Sequence, residues 1–489
     1  MKRQIALMTG AAALLTPGAA AFADTLQQAL EAAYHHNPTL TAQRANVRAA
    51  DENVPLARAA GMPTLEASAN YQENVLKGSQ PPGLLTSDPD RQLTAQINAN
   101  VPLLTFGAVS GSVKAAEARA ETSRLGLRGT EAELFTAVVG AYMDVIRDEA
   151  IVRLNLGNHE VITYTLKETS ERFRAGERGA TDVAQAEARV ALAVSQLETA
   201  QARLISSREN YVRLVGSPPG VLSPPPPLPA MPASVDDATA IALEDNPSLL
   251  ASRSNSVAAR QDMRVADAEL LPRVSAIGGV SHYDYLNSLD PGTGPRNRDQ
   301  GTTAYVGLSL KMPLYQGGRT SALMRQSREK YGITLEQQTE AERNVVAQTR
   351  SAFATWQSAQ RVIESARNGV SANQRALEGI RAETNAGIRP LLDRLNAEQE
   401  LLNAQVTQVT AERDAYVAGF ALLSAMGRAE ARSLNFDSSV LYDPQVHYQR
   451  VHKKAGDWDS GPMPEPVGTG TATVPAQDAA IGPTADTAP

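Results

Sequence analysis

The sequence predicts an α+β membrane protein: a short transmembrane β-barrel, shared between several copies, that continues into a long α-helical coiled-coil barrel. Three observations carry this. The chain is an internal duplicate. Each half holds a pair of segments that alternate apolar and polar residues, and each half holds a helix-permissive stretch far longer than globular helices.

Composition sets the outer limits. The 489 residues are 42% hydrophobic but only 4% aromatic, which withholds the bulkiest core fillers and suits closely packed, alanine-rich helices. The 46 basic residues are outnumbered by 53 acidic ones, a formal net charge of −7, so the chain lacks the basic excess of a general nucleic-acid binder. Cysteine is absent, which excludes disulfides, cysteine nucleophiles, thiolate metal sites and cysteine-attached lipid anchors.

The first element is an address. Lys2 and Arg3, the apolar run from Ile5 to Leu15 and the small–x–small Ala21-Phe22-Ala23 read as a secretory signal peptide, residues 1–23. Beyond it no run of about 18 apolar residues marks a membrane helix, whereas barrel strands alternate and evade such a scan.

The duplication comes next. Asn37-Pro38 returns as Asn246-Pro247 at an offset of 209; Pro102-Leu103, Ala141-Tyr142, Gly176, Asp182 and Ala186-Glu187 return as Pro313-Leu314, Ala352-Phe353, Gly387, Asp393 and Ala397-Glu398 at 211. The repeats span 24–215 and 235–427, joined by a stiff Pro-rich linker, 216–234. A tail at 428–489, rich in Pro, Gly, Thr, Asp and Ala, reads as largely disordered.

Each repeat reads helix, two strands, long helix, return helix. In the first, 24–61 reads as one helix, stopped by Pro63. Strands follow at about 64–75 and 91–103, with Leu65, Ala67, Ala69 and Tyr71, then Leu93, Ala95, Ile97, Ala99 and Val101, against polar alternates. Turn formers Pro81-Pro82-Gly83 and Asp88-Pro89 separate them. The second repeat offers strands at about 273–285, alternating less cleanly, and 302–312, separated by Asp290-Pro291-Gly292 and Gly294-Pro295. From Gly107 to about Ala175 no strong breaker occurs, a rod of roughly 100 Å at the α-helical rise. Ala186, Val190, Ala193, Leu197, Ala200 and Leu204 carry a coiled-coil spacing on the return helix.

Four strands cannot close a barrel, and open edges cannot lie in lipid. Copies must therefore associate. Two would give eight strands with a filled interior, while three give twelve and a water-filled lumen, so a homotrimer is the economical arrangement.

The order and spacing of Asn37-Pro38 and Asn246-Pro247, Pro102-Leu103-Leu104 with Phe106-Gly107, Pro313-Leu314-Tyr315-Gln316-Gly317-Gly318, Arg172-Phe173-x-x-Gly176 with Thr181-Asp182, and Ala386-Gly387 with Asp393 resemble the TolC-like outer-membrane channel family over residues 24–427. The resemblance implies a trimer with a twelve-stranded barrel in the outer membrane of a Gram-negative bacterium and a helical tunnel in the periplasm. It implies the exit duct of type I secretion or of a tripartite efflux pump. The implied partners are a periplasmic adaptor and an inner-membrane transporter of ABC or RND type. By the same resemblance, the periplasmic gate involves Asp393 as a ring aspartate, Asn396 where a second ring aspartate stands, Arg389, Thr181 and Asp182 as tip-linking residues, and Thr384 in place of a linking tyrosine, with turns at Gly176 and Gly387. Converging carboxylates attract cations. Asp393 and Asp182 also suit capping of the return helices, and the two roles are compatible.

No catalytic constellation is visible, and no cofactor or metal is required. His35 and His36 are adjacent and cannot share a helix face; His447 and His452 stand near the tail; Gly468-Thr469-Gly470 lacks the strand–helix setting of a phosphate loop. The rival reading is a periplasmic adaptor or structural coiled-coil protein without a barrel.

Overall fold

The duplicated Asn-Pro pair divides each opening helix in two. Thr25 and Gln28 form a capping box on α1 (Leu26–His36), and α2 (Pro38–Ala59) follows with Asn37 as its N-cap and Pro38 in its first turn. The single helix expected over 24–61 is thus two, because Asn37 is extended at ψ 125° and cannot continue a helix. Its side chain accepts from the Thr39 N–H and donates to the Leu214 carbonyl at 2.9 Å. Asn246 does the same in the second repeat, accepting from the Ser248 N–H and donating to the Ala425 carbonyl at 2.9 Å. Each asparagine therefore starts one helix and ties it to the end of the return helix. Asn37→Ala removes the cap and orphans a buried carbonyl, with an expected loss of about 2 kcal/mol, read as a lowered urea midpoint.

The computed structural model describes residues 24–76, 89–288, 299–434, 436–437 and 441–481. The signal-peptide residues and the turn residues 81–83, 88, 290–292 and 294–295 lie outside these.

After α2 come β1 (Thr64–Glu73), β2 (Arg91–Leu104), α3 (Ala108–Arg174) and α4 (Ala180–Val215). The second repeat gives α5 (Val235–Asp245), α6 (Pro247–Asp267), β3 (Arg273–Asp284), β4 (Gln300–Lys311), α7 (Arg319–Asn385) and α8 (Leu391–Ala425). α3 and α7 each run 67 residues. Each long helix packs against its return helix and against the shorter second helix of an opening pair, α2 or α6. Two shorter rods thus run beside one long rod.

The four strands form one antiparallel sheet in the order β1-β2-β3-β4. The register aligns the alternation across all of them: Leu65 sits opposite Ala99, Ala99 opposite Gly278 and Gly278 opposite Val306. One face therefore collects Leu65, Tyr71, Ile97, Val280, Val306, Leu308 and Leu310, all exposed, Val306 at 94%. The other collects Asn, Gln, Ser and Thr, together with Ile277, Tyr283 and Tyr305, the exceptions that blur the pattern of the second pair. A bulge between Pro102 and Leu104 leads β2 toward α3.

The core lies where the short helices, α3 and the ends of α4 and α8 meet, around Leu26, Leu30, Tyr34, Phe135, Val138, Tyr142, Leu204, Leu422 and Met426. Each such large side chain contributes about 1.5–3 kcal/mol on burial. The Tyr142 hydroxyl shares its one proton between the Ser223 carbonyl at 2.7 Å and the Asp24 carbonyl at 2.9 Å, which fastens the Pro-rich linker to this core.

Parts of the described tail rest on the core, whereas 453–467 are exposed and irregular. Phe436 stacks on Phe135 at 5.6 Å, and α9 (Gln445–Val451) lies along α2, with Tyr448 beneath the Arg124 guanidinium at 4.9 Å. Further on, the Thr469 N–H donates to the His36 carbonyl, and Arg208 donates to the Asp478 carbonyl at 2.8 Å. The average composition conceals a few spaced anchors: Phe436, Tyr442, Tyr448, Val451 and Ile481, all buried or partly buried.

Candidate gate at the hairpin ends

The ends of the two helical hairpins are built alike. At α3 the Gly176 N–H bonds the Phe173 carbonyl and the Glu177 N–H the Arg172 carbonyl, both at 2.9 Å. At α7 Gly387 and Ile388 bond Thr384 and Glu383 in the same pattern. These are Schellman turns, and both need a left-handed residue, which Gly176 (φ 80°) and Gly387 (φ 77°) supply. Gly179 and Pro390 then stand at the N-cap positions of α4 and α8.

Asp182 and Asp393 occupy equivalent places in the first turn of these return helices. Neither return helix has a side-chain cap hydrogen bond. The carboxylates instead favour the helix N-termini through the dipole, and each meets an arginine four residues earlier: Asp182 and Arg178 at 3.8 Å, Asp393 and Arg389 at 3.7 Å. Arg389 also pairs with Glu383 at the end of α7. Asn396 is exposed and accepts from Arg189 of α4. Thr181 is exposed, whereas Thr384 is buried and donates to the Ile380 carbonyl at 2.7 Å. Among the described residues, Arg389 and Asp393 are brought together, while no hydrogen bond or ion pair joins either of them to Thr181, Asp182 or Thr384.

One turn deeper lies a charge cluster that the sequence reading did not single out. Glu398, its side chain 3% exposed, receives Arg381 of α7 at 3.3 Å and Arg394 of α8 at 3.2 Å. Arg394 reaches across to α3, to Glu168 at 3.5 Å and Thr165 at 3.3 Å. Arg172 closes the set on Glu168 at 2.8 Å. This is a buried polar tie between the two hairpins of one protomer, beside the Arg189–Asn396 bond and the Arg413–Asp144 pair at 2.8 Å. Its signal was present as an i,i+4 Arg394–Glu398 pair, but a pair at that spacing reads equally well as a solvated helix face.

The carboxylate displaced furthest stands elsewhere. Glu131 of α3 is pushed up to about 7 by burial, reinforced by nearby Glu430, although it accepts from the Ala431 N–H at 2.6 Å. Among the described residues no cluster of His, Asp and Glu suits a metal ion, and no helix is long and apolar enough to cross a membrane.

The outer membrane efflux protein family matches residues 29–217 and 239–428, one match for each repeat. The chain is 33% identical over 437 residues to the outer membrane efflux protein BepC of Brucella suis, covering 89% of this chain and 92% of that one. It is 26% identical to the outer membrane protein TolC of Vibrio cholerae, covering 87% and 96%. The solved outer membrane protein VceC of Vibrio cholerae superposes with a TM-score of 0.70 at 22% identity, covering 82% and 96%. A barrel-less adaptor does not account for the aligned apolar sheet face or for these matches. The fold is that of an outer-membrane channel with a periplasmic helical part, and the chain belongs to the outer membrane efflux protein family of TolC-like exit ducts.

Proposed function

We propose that three copies close their sheets into a twelve-stranded barrel and stack their helices into a periplasmic tunnel, forming a passive duct gated at the hairpin ends. The observation that carries this is the sheet itself: β1 and β4 are open edges, and one face exposes a belt of apolar side chains, with Glu73, Arg91, His282 and Asp284 on that face only at the end far from the helices. Such a sheet needs lipid on one side and neighbours at both edges. α7 supports the same arrangement, since only six of its 67 residues are buried within the protomer and Ile333, Leu335 and Val362 stand exposed. A dimer would fill its eight-stranded interior with side chains, and a trimer leaves a lumen.

In this reading a periplasmic adaptor and an inner-membrane ABC or RND-type transporter engage the hairpin ends and supply energy, and outer-membrane lipid surrounds the barrel. Asp393, with Asn396, Arg389, Thr181, Asp182 and Thr384 around it, forms the constriction. The protein performs no chemistry of its own. The purified protein is expected to run as a trimer before boiling and a monomer after, and to form conducting pores in planar bilayers. Divalent cations are expected to block them, and Asp393→Ala to weaken that block at least tenfold. A monomer that stays soluble without detergent overturns the assembly; unchanged block removes Asp393 from the constriction.

A further inference from the structure

The polar face of the sheet is almost free of charge. Across all four strands it carries three ionisable groups of fixed sign: Glu66 on β1, Arg273 on β3 and Lys311 on β4. Arg273 is paired with Glu269 at 2.7 Å. Glu66 and Lys311 are exposed, and among the described residues neither has an ion-pair or hydrogen-bond partner. They have opposite signs, lie on the two open edge strands, and sit at the helix-proximal end of the sheet.

We propose that Glu66 of one copy and Lys311 of its neighbour meet across the barrel seam as a lumenal ion pair that fixes the register between subunits. The partner is a second copy of this chain, and the inference rests on the trimeric barrel proposed above.

The register follows from geometry. The ladder row through Thr64 runs to Asn100, Ile277 and Gly307. Barrel strands tilt by about 35–45°, so advancing four strands at ~4.8 Å each displaces the next copy by ~13–19 Å along the strand, or about four to six residues. The direction is set by the strand ends. On the helix side β2, β3 and β4 continue past this row to Leu104, Arg273 and Lys311. On the far side β3 and β4 stop at Asp284 and Gln300, level with Tyr71 and short of Glu73. The ends therefore step toward the helices from β1 to β4. Continuing the step places Thr64 of the neighbour opposite residues 311–313. Side chains must also keep to one face, which leaves two registers: Thr64 opposite Lys311, or Glu66 opposite Lys311. In the second, Glu66 and Lys311 are direct cross-strand neighbours; in the first they are diagonal, at roughly 7–8 Å, within reach of two long side chains.

The pair would hold two otherwise lone charges inside the lumen as a neutral unit. It would also oppose slippage of the seam, which Ser, Thr, Asn and Gln rows specify weakly.

The chain has no cysteine, so paired substitutions give an unambiguous readout. Full-length protein carrying Lys311→Cys is combined in turn with Thr64→Cys, Glu66→Cys, Ser68→Cys, Asn70→Cys and Gln72→Cys, oxidised in the outer membrane and run boiled without reductant. Covalent trimer is expected to peak at position 64 or 66, at least fivefold above position 72. A peak at 68, 70 or 72 overturns the register. In parallel, Glu66→Lys is expected to lower the temperature at which the trimer dissociates in detergent, and adding Lys311→Glu to restore it; equal loss in the double variant overturns the pair. If the unsubstituted protein forms no trimer, the assembly fails rather than the seam.

Discussion

Replacing Glu398 with alanine is expected to loosen the hairpin ends and raise the open population of the channel by roughly a hundredfold. The carboxylate is 3% exposed and receives Arg381 from α7 and Arg394 from α8. Without it, two guanidinium groups face each other at a site that retains only Glu168 as counter-charge for Arg394. Removing one partner from a buried ion pair costs about 3–5 kcal/mol, because the remaining charge stays desolvated. Arg381 is 42% exposed and rehydrates easily, so the low end applies. About 3 kcal/mol corresponds to that hundredfold. The loss falls on the tie between hairpins, since Arg394 is oriented by Glu398 while it reaches Glu168 and Thr165 of α3. Single-channel recording checks it: larger conductance and longer openings for Glu398→Ala, with Glu398→Gln intermediate. The duplicated position provides the control. Glu187 is exposed on α4, and Glu187→Ala is expected to leave gating unchanged. Equal behaviour of the two alanine variants removes the cluster from the gate.

The contrast between Glu187 and Glu398 shows where sequence reasoning stops. Periodicity is a local property, so the strands and long helices were legible: Leu65 to Tyr71 alternate whatever lies beside them, and Ala186 to Leu204 keep heptad spacing along one helix. Which helix face meets another hairpin is a tertiary property, and two glutamates related by duplication found opposite environments. Asn37-Pro38 was visible as a repeated motif and its break is local, since Asn37 caps α2 ahead of a proline, but its tie to the Leu214 carbonyl, 177 residues away, is not written in the local sequence. The tail was only partly legible for a different reason. Its Pro, Gly and Thr content is that of a disordered segment, but disorder follows from too little apolar surface to bury, and Phe436, Tyr442 and Tyr448 find prepared places on the core. Asp393 and Arg389 were named singly, through resemblance, and their pairing appears only where the first turn of α8 brings residues four apart together; their relation to other copies is a matter of assembly symmetry.

The attachment of the tail is expected to weaken as pH rises from about 5 to about 8. Behind α8 the chain turns through Glu430 and Ala431 against α3, where Glu131 accepts the Ala431 N–H and Arg128 pairs with Glu430 at 2.9 Å. Tyr34 of α1 accepts the Tyr442 N–H, and Arg44 of α2 lies over both tyrosine rings at 4.3 and 5.3 Å. Arg432 also faces the two carboxylates. Burial raises Glu131 to about 7 and raises Glu430 as well, while the arginines pull the other way. The folded state therefore holds a proton on Glu131 that the unfolded chain releases near 4.5. Between these values the folded form binds more protons, so stability is greatest below about 4.5, falls through this window and levels off above 7. For Glu131 alone the change is at most about 3 kcal/mol. It acts first on the contact that Glu131 makes, so amide exchange at Ala431 and Tyr442 is expected to accelerate with pH beyond the intrinsic rate. Glu131→Gln keeps an acceptor for the Ala431 N–H but cannot ionise, and is expected to flatten that dependence while leaving exchange at low pH unchanged. A pH profile for Glu131→Gln as steep as that of the parent protein would place the titrating group elsewhere and leave Glu131 as a hydrogen-bond acceptor only.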